Sequence, residues 1–277
     1  MAWTKTTRRR YERDPSGYAS NLTTKEWAFI RRRLPGARRF GRPRTTDLRS
    51  VVDAILFMVL TGCQWRMLPP EFPPRSTVQR YFYQWRDSGL WKQINRALVG
   101  RERRRCDRRA QPSACVIDSQ SVKTTESGGP RGFDAGKRIK GRKRHIVTDT
   151  DGSLLDVLVH SAGVQDNHGA VPLLNAVGAD FPKLRHAFAD RVYRGPKLLD
   201  AVSENGPWTI EIITRSQSNG SFKPEKRRWV VERTFAWLNI NRRLAKDFER
   251  SIESAEAWIW IASVKLLTRR LARACKI

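Results

Sequence analysis

Apolar residues recur at helical spacing through the first hundred positions and in short dense runs after that, and this change of period divides the chain. Residues 1–20 are polar and basic and read as a mobile arm. Trp27, Ile30 and Leu34 then share one face of a helix that Thr23 or Thr24 can cap and that Pro35-Gly36 stops. A second helix is expected from Thr46, burying Leu48, Val51, Val52, Ile55, Leu56 and Val59 and ending at Gly62. After a compact turn around 64–70, Ser76 caps a third helix through Arg86. Val78, Tyr81, Phe82 and Trp85 face inward on it, and Arg75, Thr77, Gln79, Arg80, Gln84 and Arg86 face out. Helix, tight turn and polar-basic helix make a helix-turn-helix candidate. A further helix spans Leu90 to about Val99, and the charge run Arg101–Arg109 reads as a linker or exposed helix end before a boundary near Gln111-Pro112.

Beyond Pro112 the pattern is that of strands. Ala114–Asp118 is a buried-type run ending on an acid, and runs at 144–148 and 154–159 flank Asp151-Gly152, the mark of an antiparallel hairpin. A helix over Asn167–Val177 follows, then a short strand His186–Asp190 that again ends on an acid, then a strand over Trp208–Ile213. A helix around Val231, Phe235 and Leu238 comes next, with no Gly or Pro to interrupt it until past Phe248, and a last apolar helix covers Ser254–Leu271. That order predicts an α/β chain: a ribonuclease-H-like mixed sheet flanked by helices, preceded by an all-α helix-turn-helix-like domain. The divisions are a basic arm (1–20), a helical DNA-binding domain (21–110) and a catalytic domain (111–277).

Charge sharpens the reading of partners. The chain holds 54 Lys and Arg against 27 Asp and Glu, a formal net charge of +27 spread along its length. Such a field repels itself unless a polyanion neutralises it, and nucleic acid is the usual one. Gly41-Arg42-Pro43-Arg44 reads equally as a phosphate-tracking linker or an ordinary solvated loop. The longest apolar run, Val51–Leu60, is too short for a bilayer and contains Asp53, so no membrane role is expected. Cys63, Cys106, Cys115 and Cys275 lack paired spacing and read as reduced thiols of a cytoplasmic protein. The four histidines show no ligand spacing.

Glu232 lies among apolar residues with Arg228 one turn earlier. It reads either as half of an i, i+4 ion pair or as a metal-binding carboxylate facing the sheet. In the expected sheet the end of the first strand lies beside the end of the fourth, so Asp118 and Asp190 fall at one edge with Glu232 reaching in from its helix. Three oxygen donors without His or Cys suit Mg²⁺, with Mn²⁺ as a substitute. Two such ions can activate an attacking oxygen and stabilise a leaving one in phosphoryl transfer.

Five blocks, Gly41–Asp47, Gly62–Arg66, Val116–Lys123, Lys140–His145 and Arg228–Leu238, resemble the bacterial insertion-sequence transposases of the DDE class, and the likeness covers nearly the whole chain. The resemblance implies that Asp118, Asp190 and Glu232 are the acidic triad of an enzyme that cuts transposon ends and joins the freed 3′-hydroxyls to target DNA. It also implies a phosphate contact for Arg228. Glu225 and Asn239 stand where relatives carry a Tyr and a Lys, and Arg191 follows the second acid where small residues are commoner. Arg242 or Arg243 could take over a phosphate contact. Together with Arg42, Arg44, Arg75, Gln79, Arg80, Lys123 and Arg228 they form the expected DNA-contact set. The partners implied are double-stranded DNA, as terminal inverted repeats and target, and a second copy of the chain in a DNA-bound homodimer near the nucleoid. The rival readings are a transposase-derived repressor that binds without cutting, and a structure-specific nuclease of the same fold.

Overall fold

The computed structural model describes residues 4–5, 17–36, 41, 43–203, 208–213 and 226–273, with backbone alone at 196–197, 202 and 226–228. The arm apart from a few residues, Arg42, Pro224, Glu225 and Cys275 lie outside the described residues.

Helix α1 (Thr24–Ile30) opens with a reciprocal cap: Glu26 N–H donates to Thr23 Oγ1 and Thr23 N–H to the Glu26 carboxylate. It tightens into a 3-10 turn, Arg31–Arg33, before Pro35. Helix α2 (Leu48–Thr61) starts two residues later than expected because the Asp47 carboxylate accepts from the N–H groups of Arg49 and Ser50. It ends at Gly62, whose φ of 71° is the left-handed conformation that a side chain would strain. Helix α3 (Arg75–Asp87) follows Pro74, so Ser76 sits inside the first turn and caps nothing. The connection 62–74 contains its own 3-10 turn, Trp65–Met67, and is longer than the three- or four-residue turn of a helix-turn-helix.

Helix α4 (Leu90–Arg105) runs well beyond Val99, through half of the charge run. Arginine is a good helix former, and two of these arginines are used inside the fold. Arg103 pairs with the buried Asp149 at 2.7 Å, and Arg105 donates to the carbonyls of Arg270 and Arg273.

The sheet runs β4–β3–β1–β5–β6, with β2 on the outer edge of β3 ahead of β4. Strand β3 (Ile139–Asp149) is antiparallel to β1 (Ala114–Lys123), β2 (Gly132–Asp134) and β4 (Leu154–Ser161). Strands β5 (His186–Ala189) and β6 (Thr209–Ile212) run parallel to β1. The expected hairpin turns at Asp151-Gly152. Helix α5 (Asp166–Asp180) covers one face of β3 and β4, with α6 (Pro196–Ser203) beside it. On the other face lie α7 (Lys226–Asn239) and α8 (Ile252–Ala272). The α7 segment stops at Asn239 rather than continuing past Phe248. Asn241 Nδ2 donates back to the Leu238 carbonyl, and a 3-10 turn at Arg242–Leu244 follows. Helix α8 joins the two halves of the chain: Trp258 stacks on Phe82 of α3 at 4.5 Å, and Ser263 donates to Asn95 of α4. The N-terminal helices and the sheet therefore share one hydrophobic core.

Glu256 of α8 accepts from Val159 N–H on the outer edge of β4 at 2.8 Å, and burial pushes its carboxyl from 4.5 up to about 7. A raised carboxylate binds its proton more tightly in the folded state, so its contribution falls as pH rises from 4.5 to 7 and is flat above. Glu256→Gln keeps the acceptor and removes the charge. It should match the parent near pH 4.5 and be more stable at pH 8, by up to about 3 kcal/mol. Urea unfolding at the two pH values checks this, and equal stability at pH 8 would contradict it.

Candidate active site

The parallel ladder between β1 and β5 sets the geometry. Cys115 is opposite Ala187 and Val116 opposite Phe188, where the ladder ends; Asp118 and Asp190 each lie two residues beyond that last pair. Asp190 lies immediately after β5. Its carboxylate accepts from Val192 N–H at 2.9 Å and caps the 3-10 turn Arg191–Tyr193. Asp118 is in mid-strand, not at a strand end as the apolar run suggested, because Ser119–Lys123 continue the antiparallel ladder with Gly141–His145. Its Oδ1 accepts from Ser119 N–H at 2.7 Å.

Helix α7 lies over β1, β3 and β5. Its buried stripe is Val230, Val231, Thr234, Phe235 and Leu238. The helix is fixed in rotation by Thr234 Oγ1 donating to the Gly152 carbonyl and Arg233 donating to the Asp151 carbonyl, both at 3.0 Å. Glu232 falls on the flank away from that hairpin and is exposed. Gln120, Arg144, Ile146, Phe235, Leu238 and Asn239 line one small cavity beneath α7, so Gln120 faces the helix. Side chains two apart on a strand share a face, hence Asp118 faces it too. Asp118 thus faces the helix that carries Glu232. Among the described residues no three carboxylate, imidazole or thiol groups converge closely enough to grip one ion. As chemistry, the donor set of carboxylate oxygens suits a hard divalent cation.

Residues 109–267 match the family described as "Transposase DDE domain", and residues 22–95 match one described as "Putative transposase of IS4/5 family". The chain belongs to the DDE transposases. It is similar to the "Putative transposase for insertion sequence element IS402" of Burkholderia cepacia, 32% identical over 167 residues that make up 57% of this chain and 76% of that protein. It is also similar to the "Uncharacterized protein y4sN" of Sinorhizobium fredii, 28% identical over 117 residues, 42% of this chain and 87% of the other. A third relative is the "Insertion element IS402 uncharacterized 16.2 kDa protein" of Burkholderia cepacia, 29% identical over 82 residues, 29% of this chain and 54% of its own length. No solved structure matches the chain.

Within this DDE domain, the face of the sheet opposite α7 carries a buried polar network that the sequence reading missed. Ser119 Oγ donates to Asp166 at 2.9 Å, and Lys143 lies 2.9 Å from Asp166 and 3.3 Å from Asp134. Ser121 Oγ donates to Asp134 at 2.6 Å, and exposed Lys137 donates to Ser119 O and Oγ, both at 2.8 Å. Although burial opposes it, the Ser121 bond, the Lys137 N–H and the Lys143 charge hold the Asp134 carboxyl down to about 2. Tyr193 adds its hydroxyl 3.3 Å from His145 Nδ1. Burial, then the charges of Asp118, Asp166 and Asp190, raise that phenol well above its ordinary value. Burial and the neighbouring His160 lower His145 to about 3, so its ring is neutral. A β-carbon on Gly169 would come within 2.5 Å of His160 Nε2 and 2.7 Å of His145 Nε2, so only glycine lets α5 approach here. One signal was available beforehand: Ser119 and Ser121 on β1, with Lys143 and His145 opposite them on β3, put polar residues at alternate inward positions.

The expected DNA-contact residues scatter. Arg75 and Arg80 are exposed and Gln79 half-buried on α3, Lys123 is exposed at the end of β1, and Arg242 is exposed after α7. Arg44 donates to the carbonyls of Pro35 and Gly36. Arg243 is buried. It pairs with Glu249, donates to the Cys63 carbonyl and stacks on Trp258 at 4.5 Å, which commits its guanidinium to the fold. Arg42 and the Arg228 side chain lie outside the described residues. No described helix is long and apolar enough to cross a membrane.

Lys143→Met would leave Asp134 and Asp166 without their shared cation and should cost about 3–5 kcal/mol. Denaturant unfolding measures it, and a loss under about 0.5 kcal/mol would show that the network does not exist.

Proposed function

We propose that the chain cleaves the ends of its insertion sequence and transfers the freed 3′-hydroxyl ends to target DNA, with Asp118, Asp190 and Glu232 as the acidic triad. The observation that supports this reading is the β1–β5 ladder, whose last pair, Val116 and Phe188, lies two residues before Asp118 and Asp190 within a matched DDE domain. The three carboxylates would hold Mg²⁺, or Mn²⁺ in its place. When bound, such ions supply an activated attacking oxygen and a stabilised leaving oxygen.

The chain's own residues do the positioning. The backbone N–H groups of Ser119 and Val192 orient the two aspartates. Helix α7, held by Thr234 and Arg233 to the hairpin, presents Glu232 from above. Arg228, one turn before Glu232, grips a DNA phosphate with a two-pronged guanidinium, while Arg42, Arg44, Lys123 and Arg242 take further phosphates. Arg75, Gln79 and Arg80 on the exposed side of α3 read the end sequence. The protein acts in the cytoplasm on the nucleoid, as a homodimer once bound to DNA.

The test is a supercoiled plasmid carrying the element's terminal inverted repeats, incubated with the full chain and Mg²⁺. Single Asp118→Ala, Asp190→Ala and Glu232→Ala variants should each drop strand cleavage below about one per cent of the parent while still binding end DNA, because residues acting as a unit fail as a unit. A variant that cleaves normally removes its residue from the triad. A parent that binds the ends and never cuts returns the chain to the repressor reading.

A further inference from the structure

The charge of this chain is not evenly used. Helix α4 sorts its arginines by turn: Arg103 and Arg105 are spent inside the fold, and Arg96 pairs with Asp180. Arg101 and Arg104 are exposed and line two adjoining recesses with the 3-10 turn Arg31–Arg33. The first recess, about 420 Å³, is walled by Ala28, Phe29, Arg31, Arg32, Arg33 and Arg101. The second, about 410 Å³, shares Arg33 and adds Arg104 and Phe181. Arg101 lies over the Phe29 ring at 4.5 Å, which holds its guanidinium at the wall.

Among the described residues no carboxylate lies within ion-pair distance of Arg31, Arg32, Arg33, Arg101 or Arg104. Burial, and then the charge of Arg101, lower the Arg33 guanidinium below its ordinary value. Arg33 Nη1 donates to the Phe29 carbonyl at 2.9 Å, which holds that side chain at the wall, and the planar forks of Arg31, Arg32, Arg101 and Arg104 each match two phosphate oxygens. The recesses adjoin at Arg33 and open to solvent, a shape that suits an extended polyanion better than a small phosphate, which calls for an enclosed pocket.

We propose that this groove binds the phosphate backbone of double-stranded DNA through Arg31, Arg32, Arg33, Arg101 and Arg104, as a contact surface separate from α3 and from the acidic edge. The proposal rests on the DNA-processing reading above and adds a site to it. Gln111, at the wall of the second recess, is seven residues before Asp118, at most roughly 23 Å along extended chain. That is less than one turn of duplex, about 34 Å, so the second recess and Asp118 are separated by less than the span of one helical turn of DNA.

The test uses the full chain and a random-sequence duplex of about three helical turns, with affinity measured by fluorescence anisotropy across a salt series. Combined Arg31→Gln, Arg32→Gln, Arg101→Gln and Arg104→Gln should flatten the dependence of log K on log salt by up to about 3.6, given roughly 0.9 for each phosphate no longer neutralised. A slope and an affinity within twofold of the parent would overturn the groove and leave the active-site reading standing. A parent that binds no duplex at all would instead overturn the DNA reading itself. Should the quadruple variant misfold, phenylglyoxal labelling of the unmodified chain reads the same question. Duplex should protect the peptides carrying Arg31–Arg33 and Arg101–Arg104, and equal labelling with and without DNA would refute the proposal.

Discussion

Three consecutive cations, Arg142, Lys143 and Arg144, are buried in the interior strand β3, and much of the fold exists to satisfy them. An unpaired buried charge costs several kcal/mol, so each draws polar partners in around it, although Arg144 Nε is left without one. Strand alternation sends them to opposite faces. On the α7 side, Arg142 reaches the carbonyls of Pro130 and Arg250 and the carboxylate of Asp247, and Arg144 reaches the carbonyls of Leu244 and Lys246. These bonds hold the segment between α7 and α8 against the sheet, and that segment fixes where α7 ends. On the other side Lys143 gathers Asp134 and Asp166.

The acidic edge follows from that frame. Because β5 stops at Ala189, β1 loses its parallel neighbour just where Asp118 emerges, and the exposed edge is closed by other means. Lys137 supplies the Ser119 carbonyl with a donor, and the Asp247 N–H supplies that of Lys123. Two carboxylates side by side repel each other, and Tyr193, Ser119 and the neutral His145 pack the space behind them without adding a charge.

How much of this could be read from sequence depended on whether a residue obeyed its local period. Helix α2 with its Gly62 stop and the Asp151-Gly152 hairpin obey it and were legible, whereas the short strand β2 was not expected. Residues 139–143 did not obey it, because Lys140, Arg142 and Lys143 look like loop when they are strand. Asp118 looked terminal because the polar Ser119, Gln120 and Ser121 ended the apolar run, although the ladder with β3 continues to Lys123. The exposed-looking Arg101–Arg109 run hid the buried Arg103, and Arg243 was expected on DNA when it is packed against Trp258. Lys143, His145, Asp166 and Tyr193 come together from three separate parts of the chain, and no spacing rule links them.

The central claim is that the β1–β5 register makes Asp118 and Asp190 one site. Anomalous scattering from a crystal of the chain grown with Mn²⁺ addresses it directly. The account predicts a peak bridging the two carboxylates, with Mn–O distances of about 2.1 Å, the range of a small hard cation. A strong peak bound elsewhere, or both carboxylates in place with no density between them, would contradict it.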